Sequence, residues 1–395
     1  MAGYFVFAIT FNLMDFMDFR LAPVIAILVP MSLLSILLFL VIILVLVIVH
    51  EFGHFIVAKW TNMRVDEFAF GFPPRLYAKK KGETTYAINA LPLGGYVSIW
   101  GENGEPDDIA KNHPRAFGNR PWWAQLLVLV AGVTMNMLLA WLIFVGISYG
   151  NIKVSASDEI YGSRIKNPVL TVMDASADSP AYKAGITPGT TLISVTTKNA
   201  KADLKNADSL INFISAHNND SFTITYQTET GIKADTTIAA VYGIVPDKKA
   251  IGISVDNVGT INTTLVEAVK IGSTRTYEMT KMTFGGLTTL FSSIFQGKNV
   301  IKELSGPIGI ARIVGQTSEY GYKAILTLVA VLSINLAIFN ILPLPALDGG
   351  RMVVVIIEAV SRRKVPHKYY SWVNVVGFLA LMLLLVLVTL HDVRG

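Results

Sequence analysis

Residues 21–49 carry no charged side chain. A run of that length settles the solvent before it settles the fold, because about 20 consecutive apolar residues suffice for a helix to cross a bilayer. Pro23 and Pro30 interrupt the run, and proline inside a helix removes a hydrogen bond and crowds the preceding turn. The helix is therefore expected from about Met31 through Val49 into His50. A cleaved signal peptide would need an apolar core of roughly 7–15 residues and a small-residue cleavage site, and the sequence has neither. Three further runs have spanning length: about Trp122 to Ile147, Tyr322 to Leu342 and Trp372 to Leu390. Only 15% of the residues are charged, against about 25% in soluble domains. An α-helical polytopic membrane protein with at least four transmembrane helices follows. Residues 1–20 are apolar but broken by Asp15, Asp18 and Arg20, and are read as lying on the surface.

Lys and Arg near span ends set orientation. The loop between spans one and two holds Lys59, Arg64, Lys79, Lys80, Lys81 and Arg120 among others, and the loop between spans three and four holds Arg362, Arg363, Lys364 and Lys368. The opposite ends carry little beyond Arg20 and Arg394. Four spans put both basic loops on one side, expected to be cytoplasmic, with 151–321 outside. The net charge of +5 is read as this loop charge. No basic patch interleaved with aromatics appears, so no nucleic-acid partner is expected.

Residues 151–260 are richer in Asp, Lys and Thr, with short alternating apolar runs. Pro168 to Met173, Thr190 to Thr196, Ser221 to Tyr226 and Ala239 to Tyr242 read as strands, and Ala207 to Ala216 as a helix. This is a small α+β domain of about 100 residues, inserted into the chain. Residues 261–321 are amphipathic, as expected of a helix on a membrane surface or one packed on the insert. The expected division is thus 1–150, 151–260, 261–321 and 322–395. Within the first part, Val65 to Phe72 and Glu83 to Asn89 alternate as strands around a turn at Lys79 to Gly82, and Leu91 to Trp100 is extended. This membrane-associated β-hairpin could pair with an extended peptide if its edge lines a polar chamber.

The chain has no cysteine, which removes disulfides and thiolate ligands and leaves His, Asp and Glu for any metal. The first span ends in His50-Glu51-Phe52-Gly53-His54. On a helix, residues four apart share a face, so both imidazoles can reach one zinc ion, with Glu51 beside them as a proton acceptor. Three ionisable groups in an apolar helix are costly without a task. Zinc needs a third protein ligand and an open position. In the third span, Pro343 and Pro345 break the helix, and unwound backbone at membrane depth is tolerated only inside protein or along a cavity. Asp348 is the one acid there, followed by Gly349 and Gly350. It is the expected third ligand; it can also serve as N-cap of a helix over 351–361.

Together with Pro92 to Tyr96, Ala131 to Asn136, Ser305 to Ile310 and Asn340 to Gly350, these motifs resemble the site-2 protease family of intramembrane zinc metalloproteases, in the layout of its bacterial sigma-E-regulating members. The motifs come in the family's order over most of the chain. The resemblance implies one zinc ion on His50, His54 and Asp348, Glu51 as catalytic acid/base, and substrate backbone held by Asn340, with Asn335, Gly94 and Gly95 near it. It implies a multi-pass protein of a bacterial inner membrane that cuts transmembrane segments of single-pass proteins, such as anti-sigma factors or remnant signal peptides. Ser179-Pro180-Ala181, Ala184-Gly185-Ile186 and Pro188-Gly189 resemble a PDZ domain, with Thr190 where an Asp is usual; a peptide or substrate ectodomain is its implied partner. Two features depart from the family: the stretch 1–30 is long, and there is one PDZ-like domain where some relatives have two. The alternatives are a catalytically silent PDZ-bearing membrane scaffold, an HExxH protease with a downstream Glu ligand, and a transporter, which would show repeat symmetry.

Overall fold

A computed structural model describes residues 33–102, 113–157, 160–161, 164–176, 179–217, 219–228, 231–245, 248–298 and 304–394. The first span's start near Met31 and the stretch 1–30 lie outside the described residues. In chain order come α1 (Leu33–Trp60), β1 (Val65–Lys81), β2 (Thr84–Ile99) and α2 (Trp122–Ile147). Then follow β3 (Gly150–Ser155), β4 (Lys166–Ala175), α3 (Pro180–Lys183), β5 (Thr191–Thr196), α4 (Ala207–Ala216) and β6 (Ser221–Gln227). Next are β7 (Lys233–Ala239), β8 (Val241–Val245), β9 (Lys248–Ala250), β10 (Ile253–Thr263) and α5 (Leu265–Phe295). The chain ends with α6 (Pro307–Ser318), α7 (Tyr322–Ile341), α8 (Asp348–Ser361) and α9 (His367–Arg394). Among the described residues, α1, α2, α7 and most of α9 are long and apolar enough to cross a membrane. Four spans and a β region make this a polytopic membrane protein. The chain forms two compact units, residues 1–143 with 275–395, and residues 144–274.

The first unit is a helical core around α1. Ile42 and Leu46 of α1 pack with Val314 of α6 and Val329 of α7, and Ala58 packs with Val128 and Leu129 of α2 and Met352 of α8. Transmembrane helices approach closely where side chains are small, and a Cβ at Gly53 would overlap the Ala131 carbonyl of α2. The hairpin is wider than its two strands suggest, because each bends. Lys81 to Arg75 pair antiparallel with Thr84 to Asn89, and Val65 to Phe70 with Ile99 to Gly95. Glu67 to Phe70 also face Thr85 to Ile88. The limb 95–99 therefore has a β neighbour on one side only among the described residues, and its other edge is open. The turn is tighter than expected: Lys79, Lys80 and Lys81 pair with Tyr86, Thr85 and Thr84, leaving Gly82 (φ 65°) and Glu83 to reverse the chain.

The second unit holds a six-stranded sheet ordered β3-β10-β4-β5-β6-β7 and a two-stranded β8-β9 ribbon. Val172, Ile186, Val195, Leu210, Phe222 and Ile224 form its core. The expected strands at 168–173, 190–196 and 221–226 lie within a residue or two of β4, β5 and β6. Helix α4 forms as expected, with Asn206 Oδ1 accepting from the Ser209 amide at its start. Ala239 to Tyr242 is not one strand: it straddles the end of β7 and the start of β8. The amphipathic stretch after the sheet is largely one helix, α5.

A three-way ion pair ties the hairpin tip to the end of α1. Glu83 Oε1 lies 2.6 Å from Lys59 Nζ, and Arg115 donates to both carboxylate oxygens at 2.7 and 2.8 Å. The Arg115 guanidinium, then Lys59, holds the Glu83 carboxyl down to about 2 from its ordinary 4.5. A depressed carboxylate contributes stability that is fully present above its unfolded value and is lost as pH falls through the folded one. Glu83→Gln is expected to lower the melting temperature of the detergent-solubilised protein by about 2 °C at pH 7. The gap to wild type should narrow only below about pH 4.5, and a gap unchanged down to pH 3 would contradict the pairing.

Candidate metal centre

Helical periodicity brings His50 and His54 to one buried face of α1, with 6% and 7% of their surface exposed. They sit ten and six residues before the helix ends at Trp60, about 15 and 9 Å along the axis. In a hydrocarbon layer roughly 30 Å thick, that is membrane depth. The third group arrives from a break in the chain. Helix α7 stops at Ile341, Leu342 is extended, and Ala346 takes a left-handed conformation (φ 69°). Two prolines prevent the helix from continuing. The chain doubles back so closely that a Cβ at Gly349 would overlap the Leu342 carbonyl. Helix α8 then begins at Asp348 itself. Leu347 holds the N-cap position, so Asp348 is not the cap of a later helix and its carboxylate is free to turn inward.

His50 Nε2, His54 Nε2 and Asp348 Oδ2 converge, at 3.1 Å between the imidazoles and 3.0 and 3.3 Å from them to the carboxylate. A tetrahedral centre with bonds of about 2.0–2.1 Å sets its ligand atoms about 3.3 Å apart. Asp348 Oδ2 is buried without a hydrogen-bond donor, an arrangement that costs free energy unless a cation compensates it. The donor set is nitrogen and oxygen, as zinc accepts. Among the described residues these three are the group able to hold one metal ion.

The ring nitrogens facing away fix the tautomers. His54 Nδ1–H donates to the Val128 carbonyl at 2.7 Å, which leaves Nε2 as a lone pair. Asn136 of α2, fully buried, has its amide 3.5 Å from His50 Nδ1. Its Oδ1 is buried and unpartnered. The amide orientation that turns Oδ1 toward His50 Nδ1–H satisfies both groups. A Cβ at Gly132 would overlap His54 Nε2, so α2 lies flush against the imidazoles. The motif Ala131 to Asn136 thus supplies both clearance and a hydrogen-bond partner.

Glu51 faces the open hairpin edge. Its Oε2 accepts from the Val97 amide at 3.0 Å. Sides alternate along a strand, so Gly95 shares that outer edge with Val97. Gly94 and Gly95 are buried, and a Cβ at Gly95 would lie 2.8 Å from the Ala69 carbonyl and 3.9 Å from Glu51 Cγ. Asn340 Nδ2 lies 3.4 Å from His50 Nε2, at the centre. Asn335 lies elsewhere: its Oδ1 accepts from Thr283 of α5 at 2.9 Å.

The family model for peptidase family M50 matches residues 38–384. The chain belongs to that family. M50 peptidases are the site-2 proteases named by the resemblance, and this one is a bacterial membrane-embedded zinc metalloprotease with one zinc ion per chain. It is 32% identical to a candidate zinc metalloprotease of Clostridium acetobutylicum over 92% of this chain and 98% of that one. It is 27% identical to the zinc metalloprotease RasP of Geobacillus kaustophilus, again over 92% and 98%.

Some neighbours of this M50 centre carry no sequence signal. Arg351, one turn beyond Asp348, donates to the Glu102 carbonyl. Its Nη1 is 3.5 Å from Glu102 Oε1, and its guanidinium stacks 4.5 Å from the Phe117 ring. It ties the helix of Asp348 to the end of the hairpin. No spacing links positions so far apart in the chain. Asn136→Leu, which keeps the volume and removes the amide, is expected to weaken zinc affinity about 10–100-fold. Chelator competition reads this, and unchanged affinity would remove Asn136 from the support of His50.

Proposed function

We propose that His50, His54 and Asp348 hold the zinc ion and that Glu51 moves the proton in hydrolysis of a peptide bond within a membrane-spanning segment. The observation that carries this reading is the convergence of three ligand atoms at membrane depth, with Glu51 between the ligands and the open strand edge. When bound, zinc supplies Lewis acidity toward water and a peptide carbonyl. Glu51 takes the proton of the attacking water as its oxygen bonds to the carbonyl carbon, then delivers it to the amine as the C–N bond breaks.

A helical substrate hides its carbonyls in internal hydrogen bonds and must unwind locally. The outer edge at Gly95 offers replacement backbone partners by strand addition. Asn340, beside His50, is suited to steady the substrate backbone. Asn335, bonded to Thr283, belongs to the packing of α5 on α7 in this reading and acts on substrate through that contact. Substrates are single-pass proteins in a bacterial inner membrane, of the anti-sigma-factor or remnant-signal-peptide type, and both basic loops face the cytoplasm. Lys364 Nζ donates to the Gly118 carbonyl at 2.9 Å, which supports a common side for the two loops.

The extracytoplasmic insert is PDZ-like in this reading. A cavity of about 550 Å³ lies between α4 and the start of β10, lined by Leu210, Ile211, Ile214, Ile253 and Val255. β3 pairs with β10 from Val258 onward and the Ala156 amide donates to the Asn257 carbonyl, so among the described residues the β10 edge before Asn257 has no strand beside it there and is available to an extended peptide. The insert contributes recognition and the first unit the chemistry.

Glu51→Gln keeps shape and loses the proton acceptor. Cleavage of a tagged single-pass substrate is expected to fall about 10²–10⁴-fold with zinc content unchanged. Activity within about tenfold of wild type would refute Glu51 as the base.

A further inference from the structure

At the far end of α8 from Asp348, a second polar site opens. A cavity of about 250 Å³ is lined by Arg120, Trp122, Val355, Glu358, Arg362 and Arg363, with Lys364 at its edge. It joins the start of α2 to the turn between α8 and α9, so both basic loops contribute to it. Its charges are unevenly committed. Glu358 is occupied, one oxygen taken by Lys364 Nζ at 2.9 Å and the other by the Val365 amide at 2.9 Å. Arg120 Nε is buried without a partner, while its Nη1 reaches only the Pro114 carbonyl at 3.4 Å. The guanidinium groups of Arg362 and Arg363 have no ion-pair or hydrogen-bond partner among the described residues.

The surroundings are those of a membrane interface. Trp122 and Trp372, at the starts of two spans, are 55% and 64% exposed, as interfacial aromatics are. Val353, Ile356, Ile357 and Val360 form an exposed apolar side of α8, ending at Ser361 just before the cations. An amphipathic helix of this kind lies in the headgroup region with its apolar side toward the acyl chains. Basic pockets between spanning helices at that level take anionic headgroups.

We propose that this cavity binds the phosphate of an anionic phospholipid. Arg120 donates from the cavity wall, Arg362 and Arg363 close over the phosphate oxygens, and the acyl chains run along Trp122 and the apolar side of α8. The phosphate chemistry would also suit free inorganic phosphate. The chosen source is lipid, because the cavity opens beside apolar surface at the bilayer edge. The site lies on the helix that begins with Asp348, so lipid bound here anchors the end opposite the metal centre.

The test is native mass spectrometry of the full-length protein in detergent micelles, titrated with phosphatidylglycerol, phosphatidylcholine or inorganic phosphate. Wild type is expected to retain phosphatidylglycerol over phosphatidylcholine, and millimolar phosphate is expected not to displace it. Arg120→Gln with Arg362→Gln and Arg363→Gln should weaken phosphatidylglycerol retention about tenfold or more. The pair Arg362→Gln and Arg363→Gln, exposed and outside the core, should weaken it in the same direction. Lys79→Gln with Lys80→Gln and Lys81→Gln removes equal charge from the hairpin and should leave retention unchanged. Equal loss in the hairpin variant, no loss in the exposed pair, or equal retention of phosphatidylcholine would overturn the site. Displacement by inorganic phosphate at equal affinity would overturn the lipid as its ligand.

Discussion

Two imidazoles and a carboxylate are gathered at a depth where water is scarce, and each must find a partner there. The three inward-facing atoms, His50 Nε2, His54 Nε2 and Asp348 Oδ2, lie 3.0–3.3 Å apart. A shared cation would satisfy all three at once. The outward-facing nitrogens are met by the Val128 carbonyl and the Asn136 amide of α2. Much of the first unit serves these requirements. The α1–α2 seam is close because Gly53 and Gly132 leave room, and α7 breaks where it does because Pro343 and Pro345 cannot continue a helix.

The hairpin completes the centre from a third direction. Its open limb meets Glu51 through the Val97 amide, and its tip is held to the end of α1 by Glu83, Lys59 and Arg115. Arg351 links its end to α8 through Glu102. Glu51, the strand edge and the helix that carries Asp348 are therefore mechanically joined. A disturbance of any of them should be felt at the others, as expected where a site is built on mutually supporting elements.

The spans and the residues that converge at His50, His54 and Asp348 are legible because each leaves a local trace. Residues 21–49 lack charge, His50 and His54 sit four apart, and two prolines precede the acid that follows the third span. The strands at Thr190 to Thr196 and Ser221 to Tyr226 showed their alternation in the same way. Other features left no such trace. β3 and β10 were missed because their runs are short on apolar residues, and their pairing joins positions about 110 residues apart. Gly82 gave no warning that the turn would close so tightly. Asn335 and Asn340 look alike in the sequence, yet one turn and a half of helix sends Asn340 to His50 and Asn335 to Thr283. The arginine at 351 reads as any charged residue until the fold brings Glu102 to it.

The assembly rests on one long-range union, of α1 with a carboxylate from the other end of the chain. Zinc content of the purified, folded Asp348→Ala protein tests it most directly. A ligand set drawn from both ends predicts a metal content far below one zinc per chain, matching the loss in His54→Ala. A full zinc ion retained by Asp348→Ala would contradict it and require the third ligand to lie elsewhere.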